Sequence, residues 1–197
     1  MKGVMADVPE FILEWRRRTG ADRFDEVWNG VLHMAPSPTI EHQDFEGSLI
    51  AWLRRYWRHS GRSVLHQVNV SPDEDWRNNF RIPDIVLLQP EESHLAHGSF
   101  LHGAPSVVIE IRSPDDESYE KFDFYASLGS REIWVFDRDT TKPELFRLID
   151  GAYQEQEAMA SGWLSSEAAG IELRHDANNK LGIRIAGDET TFARLPD

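Results

Sequence analysis

Three short runs, at 85–88 (IVLL), 107–111 (VVIEI) and 132–136 (EIWVF), constrain the fold more than any other feature of the chain. A strand with one wet face alternates apolar and polar residues, whereas a nearly continuous apolar run needs cover on both faces. Strands of this kind lie inside a sheet that carries helices. Together with the order strand, strand, helix, strand that their surroundings suggest, they predict an α/β core.

The flanking segments supply the cover. VPEFILEWRRRTG reads as a helix, with Pro9 near its first turn and Gly20 as its stop. In TIEHQDFEGSLIAWLRRYWRHSG the residues Phe45, Leu49, Trp52, Leu53 and Tyr56 recur at helical spacing, with Thr39 as N-cap and Gly61 past the end. DESYEKFDFYASLG reads as a third helix, ending at Gly129. Two hairpins are expected, an N-terminal one at Asn29-Gly30 and another at Asp150-Gly151, because both dipeptides suit the two-residue turn. SVLHQVNV is read as one further strand, SHLAHGSFLHG as a loop, and everything after 150 as short strands and turns. Trp52, Trp57 and Trp134 are assigned to packing rather than to stacking on bases.

With 197 residues and no internal repeat or linker, one domain over 1–197 is expected, its core at about 10–150. The chain has no cysteine, which removes disulfides, thiolate metal sites and thiol nucleophiles. The absence of cysteine, and of an apolar leader in MKGVMADVPEF, makes the cytoplasm the expected compartment, with no membrane partner. A formal charge of -13 repels nucleic acid at long range. Arg16, Arg17 and Arg18, and Arg54, Arg55, Arg58 and Arg62, are local exceptions that read as solvated helix faces.

Asp84 stands at the mouth of one of the apolar runs and Glu110 within another. An ion in apolar surroundings needs a partner. If the two strands are neighbours, the carboxylates approach one another, and a cation between them relieves the repulsion. Carboxylate oxygens completed by water make the usual half-open site for Mg2+ or Mn2+, ions able to activate water and to neutralise a phosphate under attack. Period two places Arg112 on the face of Glu110; Lys121 and Tyr125 follow on the next helix, one turn apart.

These residues carry a resemblance. Pro83-Asp84, EIRSP from Glu110, and EKFDFYASLGSREIWVFD resemble the Uma-two restriction-endonuclease family of the PD-(D/E)xK nuclease superfamily, as does the hairpin and helix of DEVWNGVLHMAPSPTIEHQ. The likeness covers roughly residues 10–150. It implies a restriction-endonuclease-like mixed sheet flanked by helices and a metal-dependent endonuclease acting on DNA, for which a homodimer is plausible. It further implies that Asp84 and Glu110, with Glu26 of the first hairpin, hold the metal, and that Lys121 is the catalytic lysine moved from strand to helix. Arg112 stands where the superfamily's name calls for lysine, and the 11-residue interval from Glu110 to Lys121 is about one helical turn shorter than the family's, so Arg112 is the alternative cation.

Plainer readings stand beside these. Asp84 suits a turn after proline, Glu110 an ion pair with Arg112 or Lys121, and Glu26 an exposed hairpin position. His42 and Tyr125 are candidate substrate contacts, although His42 on its position alone reads as a helix-surface residue. His94, His97 and His102 fit no standard zinc spacing, and Asp73, Glu74 and Asp75 read as a solvated turn. The rival functions are a protein-interaction module with a degenerate metal site, and a hydrolase of small phosphates.

Overall fold

The computed structural model describes residues 3–5, 8–114 and 116–196. In chain order its elements are β1 (Gly3–Met5), α1 (Glu10–Thr19), β2 (Glu26–Trp28), β3 (Val31–Met34), α2 (Ile40–Tyr56), β4 (Ser63–His66), β5 (Asn69–Ser71), β6 (Ile85–Leu88), β7 (Ala96–His97) and β8 (Phe100–His102). They continue with β9 (Val107–Arg112), α3 (Phe122–Leu128), β10 (Glu132–Asp137), β11 (Pro143–Ile149), β12 (Ala152–Glu155), β13 (Leu164–Ser166), β14 (Ile171–Asp176), β15 (Lys180–Ile185) and β16 (Asp188–Leu195).

The central sheet has the order β12-β11-β10-β9-β6-β4. It is mixed: β9 and β10 run parallel, joined through α3, and every other neighbouring pair is antiparallel. The three apolar runs are its central strands, as their double burial requires. One face packs Ile85, Leu87, Val107, Ile109 and Trp134 against Phe45, Leu49 and Leu53 of α2; the other packs Val86, Val108 and Ile133 against Phe124 and Tyr125 of α3. Complete burial of an aliphatic or aromatic side chain contributes roughly 1.5–3 kcal/mol, so α2 is anchored by its apolar stripe and not by helix propensity.

Both hairpin turns form where expected. Asn29 and Gly30 have φ of 50° and 85°, and Asp150 and Gly151 have 51° and 83°, the left-handed pair that a tight turn between twisted strands demands. Helix α1 starts after Pro9 and stops at Gly20, and Thr39 caps α2 by accepting a hydrogen bond from the His42 amide.

Three expectations need correction. SVLHQVNV is two strands in different sheets: the Gln67 amide still donates to the Asp84 carbonyl in register with β6, but Gln67 adopts a left-handed φ of 50°, which turns the chain out of the ladder. SHLAHGSFLHG is not all loop: β7 and β8 pair across Gly98 and, with β5, form a small sheet. The third helix begins late, since Asp116 accepts from the amides of Ser113 and Ser118 and so competes with helical bonding; a 3-10 turn at Tyr119–Lys121 precedes α3. The segment after 150 builds a four-stranded antiparallel sheet, β13-β14-β15-β16, and its Ile171, Leu173, Leu181 and Ile183 join the core around α2. Helix α2 is therefore covered on two sides, and the indoles of Trp52 and Trp57 donate to the carbonyls of Thr191 and Ala169.

Candidate active site

Strand register brings the two carboxylates together. β6 and β9 are antiparallel with Ile85 opposite Ile109, so one step further along the ladder Asp84 faces Glu110. Asp84 Oδ2 accepts a 2.6 Å hydrogen bond from the Ile111 amide, which ties the residue before β6 to β9.

Two sets of side chains meet at this point. The first surrounds Glu110, which is 3% exposed. Lys121 Nζ lies 3.2 Å from both its oxygens, and the Tyr125 hydroxyl donates to Oε1 at 2.9 Å. The same ammonium reaches Glu26 Oε1 at 2.9 Å. Glu26 also accepts from the Ile82 amide and from the Trp28 indole, each at 2.7 Å. It is a buried residue with both oxygens engaged, and the reading of it as an exposed hairpin position is corrected.

The second set surrounds Asp84. His42 Nε2 is 3.1 Å from Asp84 Oδ1, and His42 is 7% exposed, which corrects its reading as a helix-surface residue. One turn on, Glu46 is also buried, and Gln67 donates to its carboxylate at 3.3 Å. Here the left-handed Gln67 that ends β4 turns its amide toward the site.

The electrostatics follow from burial. Loss of water, reinforced by the charges of Asp84 and Glu26 and opposed by Lys121, holds the Glu110 carboxyl above the usual range. Burial, then the charge of Asp84, pushes Glu46 up to about 7. Burial alone would lower Lys121, but Glu110 and Glu26 outweigh it and keep the ammonium charged. His42 likewise overcomes its burial through Asp84 and is raised, and the Tyr125 phenol is raised by burial next to Glu110.

Arg112 lies elsewhere. Its guanidinium pairs with Asp137 of β10 at 3.0 Å and stacks toward Tyr119, so Lys121 is the cation that reaches Glu110. His94, in the 3-10 turn before the small sheet, and His97 and His102 on its strands are also apart from the site, His94 bonding the Glu91 carbonyl and His102 the Pro72 carbonyl. Asp73, Glu74 and Asp75 are exposed, as a solvated turn should be.

Two members had not been singled out. Glu46 sits at i+4 from His42 and three residues before Leu49, so the apolar stripe of α2 passes through a carboxylate, a signal legible in the sequence. Arg81 is 4% exposed and layered between the rings of Trp28 and Phe124, at 4.2 and 4.1 Å, with His33 stacked on the far side of Trp28. Its burial lowers it to about 10, against the pull of Glu26. Nothing in the sequence pattern marks it.

Comparison with known proteins agrees with this architecture. A solved structure described as a "putative nuclease belonging to DUF820" from Anabaena variabilis ATCC 29413 superposes with a TM-score of 0.58 at 14% identity, over 74% of this chain and 83% of that one. No curated protein matches. The family model Uma2, described as "Putative restriction endonuclease", matches residues 8–177. The chain belongs to the Uma2 family.

Proposed function

We propose that this chain is a divalent-metal-dependent endonuclease that hydrolyses DNA phosphodiester bonds. The observation that carries the reading is the meeting of Asp84 and Glu110 at adjacent strands of an apolar sheet, with a buried lysine shared between Glu110 and Glu26. The family and the nuclease-like neighbour support a nuclease.

The donor chemistry suits a hard cation. Four carboxylates, Glu26, Glu46, Asp84 and Glu110, converge with two buried cations, Lys121 and Arg81. With all four ionised they would outnumber the two cations where water is scarce, and a further cation would relieve the repulsion that adds to burial in raising Glu46 and Glu110. Among the described residues no three Asp, Glu, His or Cys side chains are gathered as a ligand set. Mg2+ commonly uses only one or two carboxylates and takes its other ligands from water and substrate phosphate. Asp84 and Glu110 fit that pattern, with Glu46 in reserve and Glu26 occupied in holding Lys121.

When bound, the ion would supply Lewis-acid stabilisation of phosphate charge and a more acidic water. Lys121, kept charged by two glutamates, offers N–H donors to a non-bridging phosphate oxygen or to the attacking water. His42, held by Asp84, is oriented for a second contact to the phosphate. Tyr125 fixes Glu110 from the side opposite solvent. The acidic surface disfavours tight binding to the DNA backbone, so substrate affinity is expected to depend on divalent ion.

Incubating supercoiled DNA, single-stranded DNA, RNA and nucleoside phosphates with Mn2+ or Mg2+ tests the reading. DNA cleavage that disappears in Asp84→Asn and Glu110→Gln is the expected result. Faster turnover of nucleoside phosphates would reassign the substrate.

One observation favours a second reading, a protein-interaction module: Lys121 already satisfies both oxygens of Glu110 without an ion. Absence of turnover with any phosphate substrate, together with stability indifferent to divalent ions, would establish that reading instead.

A further inference from the structure

Among the described residues, nothing covers the aromatic face of α1. Ten-residue helices are marginal in water and depend on packing an apolar face. Yet α1 has no buried residue, and Phe11 and Trp15 are 70% and 51% exposed. A groove of about 770 Å3 lies beside them, lined by Gly3, Phe11, Ile12, Trp15, Arg18 and Met34. The helix is tied down chiefly at its C-terminal end, where Arg16 pairs with Asp25 and donates to the Ala21 carbonyl.

The charges say what covers this face. Acidic residues, Glu10 and Glu14, occupy the first half of α1, and Arg16, Arg17 and Arg18 its last turn. Phe11, Glu14, Trp15 and Arg18 are all exposed and share one stripe at i, i+3, i+4 and i+7. This acid, aromatic, base order is its own complement under a twofold axis perpendicular to the helix. Antiparallel pairing sets the aromatics of two helices together, places Glu10 and Glu14 of each against Arg17 and Arg18 of the other, and opposes their macrodipoles. A nucleic-acid backbone or an anionic bilayer would meet the glutamates of the same stripe. A second copy of a chain with charge -13 must also find a basic patch to avoid acid facing acid, and the last turn of α1 provides one.

We propose that α1 is a homodimer interface in which two copies of the chain pair their first helices antiparallel. None of the residues of this surface belongs to the carboxylate site, and the proposal holds whether or not the chain cleaves DNA.

Sedimentation equilibrium of the full chain over a concentration series tests it, with circular dichroism to confirm that each variant is folded. The native chain is expected to dimerise, and Phe11→Glu with Trp15→Glu to be monomeric. Reversing Arg17→Glu and Arg18→Glu should weaken the dimer on the order of tenfold or more, and adding Glu10→Arg and Glu14→Arg should restore it. Because Arg17 also pairs with Glu10 of its own helix at 3.4 Å, association that returns with helicity unchanged across the variants is what marks antiparallel self-pairing. A native chain that stays monomeric throughout would overturn the proposal. So would a dimer indifferent to Phe11 and Trp15, a double reversal that fails to restore association, or a native monomer whose Phe11 and Trp15 face binds anionic vesicles or DNA.

Discussion

Glu46→Gln should change the pH dependence of stability by an amount the structure sets. The side chain lies buried on α2, near Asp84 and within reach of Gln67, and burial followed by the charge of Asp84 moves its titration from 4.5 to about 7. The unfolded chain releases this proton near 4.5; the folded chain keeps it until about 7. Between those values the folded state binds more protons, so the contribution of Glu46 to stability is complete below 4.5 and is lost as pH rises to about 7. At about 1.4 kcal/mol per pH unit over the interval from 4.5 to about 7, the loss amounts to at most about 3.5 kcal/mol. Glutamine keeps the shape and an acceptor for Gln67 but carries no such proton. Urea denaturation of both chains reads the effect, together with the smaller share of the His42 shift that the Glu46 charge supplies. The difference, variant minus native, should grow by about 3 kcal/mol from about pH 4 to about pH 8. Parallel stability profiles would show that Glu46 is solvated like an ordinary carboxylate, and the account of a dry, acid-rich site would fail with it.

Other outcomes are equally specific. Lys121→Met removes the ammonium that bridges Glu26 and Glu110 and should cost about 3–5 kcal/mol in urea denaturation, part of it recovered by adding Glu110→Gln; a cost below about 1 kcal/mol refutes the shared-lysine geometry. Trp57→Phe leaves the Ala169 carbonyl without its indole donor and should cost about 1–3 kcal/mol, whereas a neutral result would mean that water replaces the bond. Gly129→Ala places a Cβ in open space at a φ of 91°, so only backbone strain acts; a cost of roughly 1 kcal/mol in thermal melts is expected, and none would mean that the end of α3 relaxes.

The parts of the fold that were legible in the sequence are those set by local physics. Continuous apolar runs specify doubly covered strands, the Asn29-Gly30 and Asp150-Gly151 pairs specify left-handed turns, and the stripe of α2 specifies which face is buried. Asp84 and Glu110 stand out because a charge inside an apolar strand is costly wherever it occurs. What was not legible depends on contacts between distant residues. Gln67 takes a left-handed conformation where its amide bonds the Asp84 carbonyl, 17 positions on, and nothing in SVLHQVNV reveals that partner. His42 reads as a surface residue until Asp84 is placed opposite it, and Arg112 diverges from Glu110 because Asp137 of the next strand captures its guanidinium. The tail after 150 has short strands with no long apolar run, yet it closes over α2 as a complete sheet once Trp52 and Trp57 offer donors to its carbonyls.

The central claim is that Asp84 and Glu110 together hold a divalent ion. A ligand that binds only the folded state raises apparent stability, so the most direct test is thermal unfolding with and without Mn2+ for the native chain and for Asp84→Asn. The account predicts a rise in the native chain that grows with Mn2+ concentration and is absent in the variant. An equal rise in both chains, or none in either, would contradict it.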